Sequence, residues 1–149
     1  METSLMEPLN DRIRKEFSLK NTNIQEYSPL TLAYIGDCVY DLVIKTIYVS
    51  EGNQPVQMLH EKTSSLVNAR MQSKMMRILQ SILTKEELDV FKRGRNTKSV
   101  SAAKNQSITD YRRATGFEAL MGYLYLSNQY ERMTELIKIG LDSLKEKEK

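Results

Sequence analysis

The run LAYIGDCVYDLVI (Leu32–Ile44) places an acid, Asp37, directly after a glycine in a segment otherwise fit for a protein core. From Pro29 to Val49 apolar residues fall on nearly every helical face, the pattern of a helix enclosed by other helices rather than laid on a surface. Ser28 and Pro29 supply its start, because the hydroxyl accepts a free backbone N–H and proline suits the first helical position. Gly52 and Pro55 end it. Ala33, Asp37, Asp41 and Lys45 recur every four residues on one narrow stripe, so Asp41 has Lys45 as a partner one turn on. A carboxylate in a core needs a partner or a metal, and the bland alternative for Asp37 and Asp41 is an ordinary polar seam.

With 149 residues the chain has room for one ordinary domain, residues 1–149, with a proper core. Few glycines and prolines, many Leu, Ile, Met and Tyr, and no alternating strand pattern predict an all-α fold. A single cysteine, Cys38, excludes an internal disulfide; its apolar setting predicts a buried free thiol in a reducing compartment. The start METSLMEPLN lacks the basic and apolar segments of a signal peptide, and Asp37, Asp41 and Lys45 interrupt the enclosed helix, which argues against a membrane span. The expected location is the cytoplasm.

The formal charge is +3, but its distribution says more than its sum. Lys92, Arg93, Arg95, Lys98, Lys104, Arg112 and Arg113 stand against the single acid Asp110, a local net of +6 that leaves −3 for the remainder of the chain. A solvated loop is the bland reading of such a run. The composition KRGRNTKSVSAAKNQS also carries Gly, Asn, Ser and Thr, suited to phosphate oxygens, and points to a polyanion partner.

A first helix is expected over Leu9 to Leu19, its Leu9, Ile13 and Phe17 face forming a lid or flank on the core. Pro55 opens a helical stretch reaching Ile82, bent near Thr63–Ser65, whose methionines fill core space. Thr84 and Glu87 predict a capping box before Leu88 and Phe91, leading into a basic loop from Gly94 to Gln106. Ser107 and Asp110 repeat the capping pattern and open YRRATGFEALMGYLYL. Gly116 and Gly122 there suggest close packing on a neighbour, and Glu118 sits among apolar residues as Asp37 does. An amphipathic helix from Tyr130 to Leu144 completes the fold, and KEKEK is a frayed tail.

Two core-type helices thus each carry an acid, with a basic loop just before the second. Converging carboxylates bind hard divalent cations, and Mg²⁺ takes one or two of them beside water and phosphate oxygens; such a metal can activate water for phosphodiester hydrolysis. His60, the chain's one histidine, is remote in sequence from both acids.

LAYIGDCVYDLVI resembles the signature helix of the ribonuclease III catalytic domain, and YRRATGFEALMGYLYL resembles the later helix with that family's essential Glu. FKRGRNTKS (Phe91–Ser99) is similar to the basic loop of the family's small bacterial Mini-III branch. The resemblance covers about Ser28 to Leu126, and the length matches a catalytic domain without a double-stranded-RNA-binding domain. It implies an all-helical homodimer that cleaves double-stranded RNA with Mg²⁺, one site per subunit, and a substrate in the paired stalk of precursor 23S ribosomal RNA, with a ribosomal protein on that RNA as a further partner.

By the same resemblance Asp37 and Glu118 are the catalytic and metal-holding pair. Ordinary family members carry a Glu four residues before the signature Asp and an Asp three residues before the Glu; here those places hold Ala33 and Thr115, a reduction the Mini-III branch shares in part. Asp41, Asp110 and Thr115 are then expected in support, orienting water or metal. Lys92, Arg93, Arg95, Asn96, Lys98, Ser99 and Lys104 are expected to grip the RNA backbone, read by shape more than by base sequence. The apolar face around Tyr34, Val39 and Tyr123 is either the dimer contact or internal core. Two other readings stay open: a non-catalytic RNA-binding ribosome-assembly module with this fold, and a helical interaction protein whose acids are salt-bridged.

Overall fold

A computed structural model describes residues 7–97 and 107–146. Seven α-helices stand among the described residues: α1 (Leu9–Glu16), α2 (Pro29–Ser50), α3 (Val56–Leu66), α4 (Ala69–Leu79), α5 (Lys85–Asn96), α6 (Ile108–Leu126) and α7 (Tyr130–Glu146). α6 is the axis of the bundle, packing on α2, α4, α5 and α7. From Ala114 to Leu124 every residue of α6 except Glu118 is buried. The core is built around it from Tyr40, Ile44, Met75, Met76, Leu79, Phe91, Phe117, Leu120, Leu136 and Ile137. Tyr40 and Phe117 meet edge to face, 5.0 Å between centroids, a geometry that adds to the area they bury.

The helix starts follow from local chemistry. Ser28 Oγ accepts the Thr31 N–H at 3.2 Å with Pro29 in the first turn. Thr84 and Glu87 form the capping box, each side chain taking the other's backbone N–H. Ser107 Oγ accepts from Asp110 N at 3.0 Å. Gly52 follows α2 at φ 133°, a conformation closed to most side chains.

Four features depart from the sequence reading. The stretch from Pro55 is two helices, not one bent helix: the chain breaks at Val67–Asn68, where the Asn68 side chain caps α4 through Met71 N. The segment expected to loop from Gly94 stays helical to Asn96, because Gly94 packs on Gly116 and Ala119 of α6. α1 ends at Glu16 and is no lid; Leu9, Ile13 and Phe17 are 58%, 40% and 69% exposed. It is tethered instead by buried Asn10, whose Nδ2 donates to Leu126 O and Asn128 Oδ1. Cys38 is exposed rather than buried, since α2 leaves one side uncovered. That side carries Leu30, Tyr34 and Leu42, all exposed, whereas Val39 and Tyr123 belong to the core.

Candidate active site

The crossing of α2 and α6 is made of glycine. A Cβ on Gly36 would come within 1.7 Å of the Glu118 carbonyl oxygen, and one on Gly122 within 2.0 Å of the Leu32 carbonyl. Either would force the helices apart, so the backbones touch only because both positions lack side chains. Asp37 follows Gly36, and the residue lying over Gly36 is Glu118. The close crossing therefore brings the two acids together.

Both line a cleft of about 200 Å³ with Val67, Asn68, Ala69, Gln72, Tyr111, Ala114 and Thr115. Tyr111, Ala114, Thr115 and Glu118 form one face of α6 by their three- and four-residue spacing; the opposite wall is the α3–α4 break and the first turn of α4. Asp37 is exposed, correcting the expectation of a buried acid, and Glu118 is half-buried. Burial and then the Asp37 carboxyl within hydrogen-bonding reach push the Glu118 carboxyl up to about 8. The described wall contains no Lys, Arg or His. Two neighbouring carboxyls without a cationic side chain in the described wall favour a retained proton or a bound cation.

Only oxygen and amide donors face this space, the chemistry of a hard divalent cation rather than zinc. Among the described residues no group of three or more His, Cys, Asp and Glu could hold a metal. Two carboxylates suffice for Mg²⁺, so the residues present fit that ion.

The supporting acids lie elsewhere. Asp41 pairs with Lys45 at 2.9 Å. Asp110 accepts from Ser73 Oγ at 2.7 Å, and Arg113 donates to the same Ser73 oxygen at 2.8 Å, which latches α6 to α4. Neither acid lines the cleft. Ser73, the opposing burial cost, Ser107, Arg77 and Arg113 together leave the Asp110 carboxyl below the usual carboxylate range. Thr115 is in the wall, its hydroxyl donating to Tyr111 O at 3.1 Å. His60 lines a separate groove with Lys45, Tyr48, Val49, Val56, Leu59 and Thr63.

Lys92, Arg93 and Asn96 are exposed on the last turns of α5. Arg95 lies over the Phe91 ring at 5.5 Å and donates to Asn96 Oδ1 at 3.1 Å. Gly94 of the same turn touches Thr115, Gly116 and Ala119, the residues flanking Glu118. The basic turn is thereby held at the border of the cleft. Lys98, Ser99 and Lys104 lie outside the described residues.

Sequence reasoning missed the α4 side of the cleft, Asn68 and Gln72 above all. The available signal was Asn68 as a cap and the row Arg70, Lys74, Arg77 at helical spacing behind it.

The ribonuclease III domain family matches residues 30–129, which takes in both acids and the whole cleft. The chain belongs to the ribonuclease III family. Like that family, it is a double-strand-specific endoribonuclease. Proteins similar to it include "Mini-ribonuclease 3" of Clostridium tetani, 49% identical over 125 residues and 83% of each chain. "Mini-ribonuclease 3" of Thermoanaerobacter sp. is 41% identical over 128 residues, 86% of this chain and 90% of that one. A crystal structure of a Fusobacterium nucleatum protein superposes with a TM-score of 0.75 at 27% identity, covering 87% of this chain and 99% of that one. No helix among the described residues of this ribonuclease III chain is long and apolar enough to cross a membrane.

Proposed function

We propose that the protein acts as a single Mg²⁺-dependent catalytic domain that matures precursor 23S ribosomal RNA in the cytoplasm, with Asp37 and Glu118 as its catalytic pair. The observation that supports this most is the contact between two carboxyls in a cleft with no cationic side chain in its described wall.

Asp37 and Glu118 would hold Mg²⁺ through their carboxylate oxygens. When bound, the cation supplies a Lewis acid and an activated water for phosphodiester hydrolysis. Glu118 must first release the proton that burial and Asp37 make it keep, so loading the site is coupled to deprotonation. Thr115 closes the α6 side of the cleft beside it. Lys92, Arg93, Arg95 and Asn96, continued by Lys98, Ser99 and Lys104, grip phosphates along the duplex. A-form RNA conceals its base edges in a deep groove, so shape and backbone set recognition.

The homodimer is formed through the uncovered side of α2. Leu30, Tyr34 and Leu42 recur at helical spacing there, and Tyr34 is 81% exposed. An isologous contact on that stripe sets two equivalent sites across one duplex.

The test is incubation with a long RNA duplex and with a transcript of the paired stalk of precursor 23S RNA, with Mg²⁺ or with chelator. Wild type cuts both only with Mg²⁺, and Asp37→Asn cuts neither while still binding. Turnover of Asp37→Asn at the wild-type rate would refute the catalytic assignment; a stalk left intact beside a cut duplex would refute the substrate.

A further inference from the structure

The cleft has a polar group that the acid pair does not account for. Gln72 on α4 is 3% exposed and lines the cleft with Asp37 and Glu118. Its side chain makes no hydrogen bond among the described residues, and neither of its amide atoms is sealed inside the protein without a partner. The amide therefore opens into the cleft. Burying an amide without a partner costs stability, and a leucine would fill the same volume without that cost.

The other side-chain amide of the cleft is committed elsewhere. Asn68 uses both ends of its amide to join the helices, accepting from Met71 N at 3.0 Å and donating to Ser64 O at 2.8 Å. Thr115 gives its hydroxyl proton to Tyr111 O. Of the two side-chain amides in the cleft wall, that of Gln72 is the one with no hydrogen bond among the described residues.

We propose that Gln72 Oε1 is the third oxygen donor of the divalent-cation site, which rests on the reading of Asp37 and Glu118 as cation holders. Hard cations accept amide carbonyl oxygens beside carboxylates. Two carboxylates already balance a 2+ charge, so the third donor need supply only an oxygen. The place of Gln72 on α4 also gives the site a donor from the wall opposite α6.

The experiment titrates Mn²⁺ into the full chain without RNA by calorimetry, for wild type, Gln72→Leu, Gln72→Glu and Asp37→Asn. Metal-free melting temperatures and duplex affinity are measured in parallel. Gln72→Leu weakens Mn²⁺ binding roughly tenfold or more while its metal-free melting temperature holds or rises, and Gln72→Glu recovers the affinity. Wild-type Mn²⁺ affinity in Gln72→Leu overturns the proposal, as does a loss confined to duplex affinity, which would turn the amide toward RNA. Equal Mn²⁺ binding by wild type and Asp37→Asn overturns the acid-pair reading and this proposal with it.

Discussion

The carbonyl oxygen of Glu118 rests on the bare face of Gly36, 1.7 Å from where a side chain would begin. That contact joins helix packing to chemistry, because it fixes the distance between the helices that carry Asp37 and Glu118. Gly36→Ala has no flexible neighbour to displace, since the obstacle is backbone. It is expected to cost on the order of 3 kcal/mol and to lower cleavage by roughly 100-fold through displacement of the acids. Thermal melting and single-turnover cleavage check the two effects.

The pH dependence of the metal-free protein follows from Glu118. Its carboxyl lies near 8 in the fold against 4.5 as the ordinary value. The folded state thus keeps a proton that the unfolded chain has lost, so the stabilising contribution is complete below about 4.5 and disappears as pH rises through about 8. Glu118→Gln removes this loss. At pH ~8.5, without metal, it should be more stable than wild type by roughly 1–3 kcal/mol, while cleavage is abolished. A denaturant series at several pH values shows the crossover, and an equal pH response of the two proteins would contradict it.

Arg93 and Arg95 stand on the helical turn pinned beside Glu118. Replacing both by Ala is expected to weaken duplex binding for every sequence and to reduce the log–log salt slope by about 1–2. Filter binding at several salt concentrations measures it. A changed base preference at constant slope would count against backbone gripping.

Away from the cleft, Glu87 and Arg132 tie the start of α5 to α7 through two contacts of 2.9 Å, and Arg132 also donates to Ile82 O. Burial opposes ionisation of Glu87, yet Arg132 and Thr84 hold its carboxyl below the usual range. The stabilisation is present above the ordinary carboxylate pKa and is lost as pH falls through the folded value. Arg132→Ala is expected to cost about 2–4 kcal/mol near neutrality, with the difference from wild type shrinking in acid and cleavage per folded molecule unchanged.

Tyr34→Arg places a charge in the centre of the exposed α2 stripe. Sedimentation should show a shift from dimer to monomer at micromolar concentration. The circular dichroism of the chain should be unchanged, because Tyr34 is outside the core.

Helix starts were legible because capping is local: Ser28, Thr84 and Ser107 act on N–H groups three residues away. The pair Asp37 and Glu118 was legible because single acids stand out in apolar runs. Their surroundings were not. Periodicity reports the average environment of α2 and cannot show that one side remains open, so Asp37 and Cys38 were both placed too deep. The break at Val67–Asn68 has a local signal in the Asn68 cap, whereas Gly94 stays helical only because Gly116 and Ala119 receive it. Gln72 enters the site because α4 packs across from α6, and a cap and helical spacing mark a helix there without showing which helix it will face.

Cys38 is the chain's one thiol, and it stands exposed one residue beyond Asp37. The native sequence therefore carries a single-point reporter on the uncovered side of α2. The rate at which a thiol reagent reaches it gives a footprint of whatever covers α2, read on unmodified protein and without any engineered label.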